Sequence, residues 1–207
     1  MYNIQEGGFF MEQNRTLHIW ELAALLTLCI CLAACLWAEG RQARLASHLV
    51  RLHVLAVSDT AEEQAVKLRV RDAVLRYLEP KLASVTDARE AEAVLSRELP
   101  GIRSAAGEAA GGRAVTVTLG EEHYPTRDYG DFALPAGRYR SLRVVLGEGK
   151  GHNWWCIVFP PVCLSAAQRE AALPAMNPED YALITREEGW QLRFRLVELW
   201  GELVSGR

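Results

Sequence analysis

Five histidines and five cysteines are scattered through a chain of 207 residues, and only a few of them stand near a second reactive group. His48 and His53 are five positions apart, and no Cys pair combines with a His pair in the pattern of a zinc site. His53 precedes Ser58 and Asp59, residue types that suit a nucleophile and its base. Residues 58 to 60 have a sufficient task as helix caps, however, and a histidine on the mixed face of a strand is more commonly a hydrogen-bonded structural group. The chain has no GxSxG elbow, no paired Asp-Thr/Ser-Gly and no HExxH. Gly147-Glu148-Gly149-Lys150-Gly151 has the composition of a phosphate cradle, but it joins two strands instead of opening a helix, so a flexible hairpin loop explains it. Nothing here supports hydrolysis, a metal or a cofactor.

The cysteines carry two separate signals. Cys29, Cys31 and Cys35 lie in an apolar span, and Leu32-Ala33-Ala34-Cys35 has the look of a bacterial lipoprotein box. Leu36-Trp37-Ala38 continues the apolar run where a lipoprotein would turn polar, so lipidation of Cys35 is the lesser reading. Cys156 and Cys163 are the thiols of the remaining chain. In an exported domain they can bridge, and two buried free thiols are the alternative.

The element that must position these groups is residues 50 to 78. Alternation places Val50, Leu52, Val54 and Ala56 on one face of a strand and Leu49, Arg51, His53, Leu55 and Val57 on the other. Thr60 and Glu63 have capping-box spacing, so a helix starts near Ala61 and stops at Pro80. At about 100° per residue, Val66, Val70, Ala73, Val74, Tyr77 and Leu78 form a broad stripe that suits a sheet. Leu68 and Leu75 form a second, narrower stripe that needs a neighbouring helix or a partner.

The preceding segment runs from Arg15 into an apolar stretch in which residues 22 to 38 carry no charge. That is about 17 residues, short for a transmembrane helix and long for a signal-peptide core. Export or membrane anchoring is favoured over a buried core helix. Arg41 and Arg44 on the far side argue weakly against the usual cytoplasmic amino terminus. Met11 is a candidate for the true start.

Beyond Pro80, Thr86 caps a segment from Asp87 to Leu99, Pro100 interrupts it, and residues 102 to 109 make a short third helix ended by Gly111-Gly112. Strands follow around Val115 to Leu119 and Arg138 to Leu146, separated by an ordered aromatic loop, residues 123 to 137. Trp154, Cys156 and Val158 on one face and Trp155, Ile157 and Phe159 on the other predict a strand that is central or covered on both sides. Leu192, Leu196, Leu199, Trp200, Leu203 and Val204 mark a carboxyl-terminal amphipathic helix that docks on the sheet or lies on a membrane. The fold class expected is α+β: a small mixed or antiparallel sheet of about four strands covered by helices, behind one hydrophobic helix. Residues 1 to 40 form the signal or anchor segment and 41 to 207 a single extracytoplasmic domain. A net charge of −3 without a Lys or Arg run gives no case for nucleic acid.

Three segments together carry a resemblance: RLHVLAVSDTAEEQAVKLRVRDAVL at 51 to 75, YPTRDYGDFALPAGRYRSLRVVLGEGKGHNWWCIVFPPVC at 124 to 163, and FRLVELW at 194 to 200. They look like the stage II sporulation protein R family of endospore-forming Firmicutes. The resemblance implies a protein made in the forespore and exported to the space between the two cells. There it would activate a membrane-embedded aspartic protease of the mother cell that processes the sigma-E precursor. Such a protein has no enzymatic activity of its own and contacts the protease through exposed groups. The candidates are Gln64, Lys67 and Arg71, within an arc of about 60° on the helix, with Tyr129, Asp131 and His152 from two loops. A solvated helix face is the plainer reading of the first three. The rival classes are a cell-wall or peptide hydrolase using His53, Asp59 or His152, and a membrane-anchored structural protein of the septum.

Overall fold

A computed structural model describes residues 6 to 129 and 132 to 160. The chain divides into two units, residues 1 to 42 and 43 to 207. In the first, α1 (Glu6–Ser47) is one long helix, and its part from His18 to Ser47 is long and apolar enough to cross a membrane. Its apolar side chains, including Ile19, Trp20, Leu25, Leu36 and Trp37, are exposed. In water that surface would be costly, and the length and composition of the helix are compatible with a signal or membrane-anchor segment.

The second unit is an α+β fold. Its elements are β1 (Val50–Leu55), α2 (Ala61–Leu82), α3 (Ala88–Ala109), β2 (Val115–Tyr124), β3 (Arg127–Asp128), β4 (Ala133–Leu134), β5 (Gly137–Leu146) and β6 (Asn153–Phe159). Four strands form a mixed sheet in the order β2-β5-β1-β6, and β3 pairs with β4 in a separate hairpin. β1 runs parallel to β5 and antiparallel to β6. Between the parallel pair the chain passes through α2, α3, β2 and the β3–β4 pair, a connection far longer than the minimum that parallel neighbours require.

All of β1 is buried. Val50, Leu52 and Val54 meet Val66, Val70, Val74 and Leu78 of α2 and Leu95, Ile102 and Ala106 of α3 in the main core. Fully burying each of the larger aliphatic side chains contributes roughly 1.5–3 kcal/mol relative to leaving it in water. Thr60 is the N-cap of α2, accepting from the Glu63 amide at 3.4 Å. Of the narrow stripe of α2, Leu75 is buried in the same core as α3, while Leu68 stays partly exposed. Tyr77 donates to Glu98 at 2.6 Å and Lys81 pairs with Glu98 at 2.9 Å, tying the two helices together.

Four expectations need correction. Pro80 lies inside α2, which continues to Leu82, and Pro100 lies inside α3, which is one helix where two were expected. Proline removes one helical hydrogen bond, but Leu95 before it and Ile102 and Ala106 after it share one buried stripe, and that continuous burial outweighs the break. The N-cap of α3 is Asp87, whose carboxylate accepts from the Glu90 amide at 2.8 Å, and not Thr86. β6 is the terminal strand of the sheet among the described residues, not a central one, and Trp154, Trp155 and Cys156 stay partly exposed. Finally, residues 147 to 152 are no hairpin, because β1 lies between the strands that they join. They cross the end of β1, where the Gly151 amide donates to the Ala56 carbonyl at 2.9 Å.

That crossing leaves no room for a side chain: a Cβ on Gly151 would lie 2.4 Å from the Ser58 carbonyl oxygen. Gly151→Ala is expected to destabilise the fold by about 1–3 kcal/mol, the range for forcing an extra methyl into packed structure. A lowered denaturation midpoint with an unchanged m-value in urea measures this.

Candidate functional site

Two polar constellations flank β1. The first sits where β1 turns into α2. The Asp59 carboxylate accepts from both the backbone amide and the Nδ1 of His152, clamping the β5 to β6 crossing onto the turn. The hydrogen bond from the His152 amide, followed by those from its ring, holds the Asp59 carboxyl below its ordinary value. Lys67 Nζ donates to Gln64 Oε1 at 2.5 Å and to the His152 carbonyl at 3.1 Å, and Gln64 Nε2 reaches the Ser58 carbonyl at 2.9 Å. Arg71 lies over the Trp154 ring at 4.4 Å and pairs with Asp72 at 2.7 Å.

The structure thus brings Gln64, Lys67 and His152 together, but as a brace and not as an open surface. Lys67 is only 4% exposed, and burial pulls its ammonium below the ordinary value, so it is not an exposed group of the helix. The helical wheel placed it beside solvated residues because it cannot register that a loop from the far end of the chain folds over the helix. Tyr129 belongs to the other face of the sheet, with Leu45, Leu49, Phe132 and Leu134. Asp131 lies outside the described residues. Cys156 is disulfide-bonded; Cys163 also lies outside the described residues, and the pairing of these two stands as a proposal. Cys35 is a free, exposed thiol within α1. Among the described residues no group of three His, Cys, Asp or Glu is placed to hold a metal.

The second constellation fills the sheet face opposite α2 and α3. His53 Nδ1 donates to Glu122 Oε1 at 2.8 Å, and its Nε2 lies 2.9 Å from Asn153 Oδ1, so one imidazole joins β1 to both β2 and β6. Both ring nitrogens of His53 are therefore occupied, and no hydrogen bond joins it to the Asp59 and His152 pair. Ser141 Oγ donates to Glu122 Oε2 at 2.9 Å and receives the hydroxyl of Tyr124 at 2.6 Å. Burial drives the Tyr124 phenol far above its ordinary value, so the hydroxyl remains a neutral donor. Burial also pushes Glu122 upward, but the hydrogen bond and charge of His53, with Ser141 and Arg143, outweigh it and hold the carboxyl below its ordinary value.

Beside this network lies Arg51, wholly buried, its guanidinium 3.9 Å from the Tyr124 ring centre and 5.0 Å from that of Tyr139. Its Nη2 donates to the Tyr129 hydroxyl at 2.5 Å. Arg127 stacks over Trp155 at 3.7 Å. Sequence reasoning passed over Arg51, Arg127, Glu122 and Trp155 as site residues. The available signal was Arg51 and His53 alternating on a strand whose neighbours are apolar, which puts two ionisable groups on a face that must be covered.

The pH dependence of stability follows from Glu122. Its folded value is depressed below the 4.5 of the unfolded chain, so its contribution is fully present above about pH 4.5 and is lost as pH falls through the folded value. Glu122→Gln is expected to be less stable at neutral pH and to lose that part of the acid dependence. Urea midpoints between pH 3 and 7 for both proteins test it.

The sequence model of the family described as Stage II sporulation protein R (spore_II_R) matches residues 46–169, which span β1 to β6 and beyond. Among curated proteins, Stage II sporulation protein R of Bacillus subtilis (strain 168) is 33% identical over 193 residues, covering 81% of this chain and 86% of the relative. No solved structure matches. By the extent of both matches, the chain belongs to the stage II sporulation protein R family.

Proposed function

We propose that this chain is an exported sporulation signal which activates, by binding, the membrane-embedded aspartic protease that processes the sigma-E precursor in the mother cell. The observation that carries the reading is the family match across residues 46 to 169. The apolar helix from His18 to Ser47 supports delivery through or into a membrane, leaving the domain in the space between forespore and mother cell, either released or tethered. The domain itself suits recognition: Trp154 and Trp155 are partly exposed on the last described strand, and each has an arginine stacked on it. Arg and Trp are residue types that dominate binding hot spots. A second reading, a cell-wall or peptide hydrolase, has one observation in its favour. His152 is an exposed imidazole oriented by a carboxylate, Asp59, which is how a general base is built.

Reconstitution separates the two. Protease and sigma precursor in proteoliposomes are expected to show precursor cleavage that depends on added full-length chain and that survives His152→Ala, provided the variant is folded. Chain alone is expected to release nothing from peptidoglycan or casein. Turnover of either substrate that vanishes in His53→Ala or His152→Ala would put the hydrolase in place of the signal.

A further inference from the structure

A guanidinium withdrawn from water is stable only if other groups replace its hydration, and the usual replacement is a carboxylate. Arg51 has no exposed surface, yet its Nε and Nη1 have no hydrogen-bond partner among the described residues. What surrounds it is neutral: the Tyr129 hydroxyl at 2.5 Å and the ring faces of Tyr124 and Tyr139. Ring faces offset part of the cost of a cation and cannot accept its in-plane protons in the way an oxyanion does. Arg127 repeats the pattern beside it. Its guanidinium lies over Trp155, and its Nε is likewise buried and without a partner. Burial lowers its pKa, Tyr129 opposes that shift and the charge of Arg51 adds to it, so the two cations oppose one another with no carboxylate between them among the described residues. Among the described residues no carboxylate bonds either guanidinium. Glu122, the acid of this face, is already shared among His53, Ser141 and Arg143. Arg127, Tyr129 and Trp155 are partly exposed, so the cluster reaches the surface.

We propose that Arg51 and Arg127, walled by Tyr124, Tyr129, Tyr139 and Trp155, form an oxyanion-recognition site that takes an acidic side chain of the protein partner. That the carboxylate comes from a protein rests on the binding function proposed above; that the site takes an oxyanion does not. Two planar cations carrying unused donors complement a carboxylate, and the aromatic walls exclude the water that would otherwise compete for it. The site lies on the sheet face opposite α2, so the recognition surface moves from the helix to the other side of the domain.

Thermal unfolding of the full-length chain in detergent tests the site, in chloride, acetate and phosphate at equal ionic strength, for the wild type, Arg51→Met and Arg127→Met. Acetate is expected to raise the wild-type Tm above its chloride value and to leave Arg51→Met unmoved. In chloride, Arg51→Met is expected to unfold at or above the wild-type temperature, since an uncompensated buried charge has been replaced by a side chain of similar volume. Equal wild-type Tm values in all three salts, or an Arg51→Met that unfolds well below the wild type, would show a satisfied structural arginine and overturn the site. A rise in phosphate with none in acetate would overturn the carboxylate. In reconstituted precursor cleavage, folded Arg51→Met and Arg127→Met should each lose more than about tenfold of the activation, as when one partner of a buried charge pair is truncated. Full activation by both variants would remove the protein partner from the site. A wild-type chain that never stimulates cleavage would instead sink the functional reading, leaving the acetate result to stand or fall separately.

Discussion

The constraint on which this domain depends is that its central strand is buried along its whole length and carries an arginine and a histidine. β1 has β5 on one side and β6 on the other, two helices over one face and an aromatic layer over the opposite face. An apolar strand would need only neighbours of suitable volume. Arg51 and His53 demand more, because each buried polar group must be met by a partner or it costs the desolvation it has lost. Much of the second face is a response to that demand. Glu122 and Asn153 take the two nitrogens of His53, Ser141 and Tyr124 complete the shell of Glu122, and two tyrosine rings and one tyrosine hydroxyl surround Arg51. The histidine is fully answered. Among the described residues the arginine is met by neutral groups only.

The other end of β1 is governed by the crossing from β5 to β6. A chain that must pass over a strand end and a helix start comes within contact of backbone, and Gly151 permits the approach. Asp59, Lys67 and His152 then fasten it. The burial of Lys67 is a consequence of that fastening, and the same contacts keep Asp59 ionised. The turn thereby serves two elements at once, with Thr60 capping α2 while Asp59 holds the crossing. This brace ties the crossing to the start of α2.

A domain of this kind behind an exposed apolar helix fits a family whose members are sporulation proteins. The last turn of α1 carries Leu45 into the second core, next to Tyr139, Phe132 and Leu134, so the segment leading out of the apolar helix is itself part of the domain's packing. The signalling role calls for a stable surface on such a domain, and the sheet face around Arg51 and Trp155 offers residue types suited to that purpose.

Local regularities were legible in the amino-acid order. The two-residue alternation of β1, the cap at Thr60, the broad stripe of α2, the length of the apolar helix and the α+β class all follow from periods and propensities that act within a few residues. The proline positions misled, because propensity sees a broken hydrogen bond and not the continuous buried stripe that keeps α3 whole. What only the tertiary structure decided is which distant residues meet. β1 lies between β5 and β6, a loop some 85 residues away buries Lys67, and the guanidinium of Arg51 faces tyrosines and, among the described residues, no acid. Such contacts depend on strand order and on crossing paths, which leave no periodic trace along a single chain. The sequence by itself determined the main elements and the family; the packing decided which of their charged groups became braces and which, among the described residues, stand without a counter-ion.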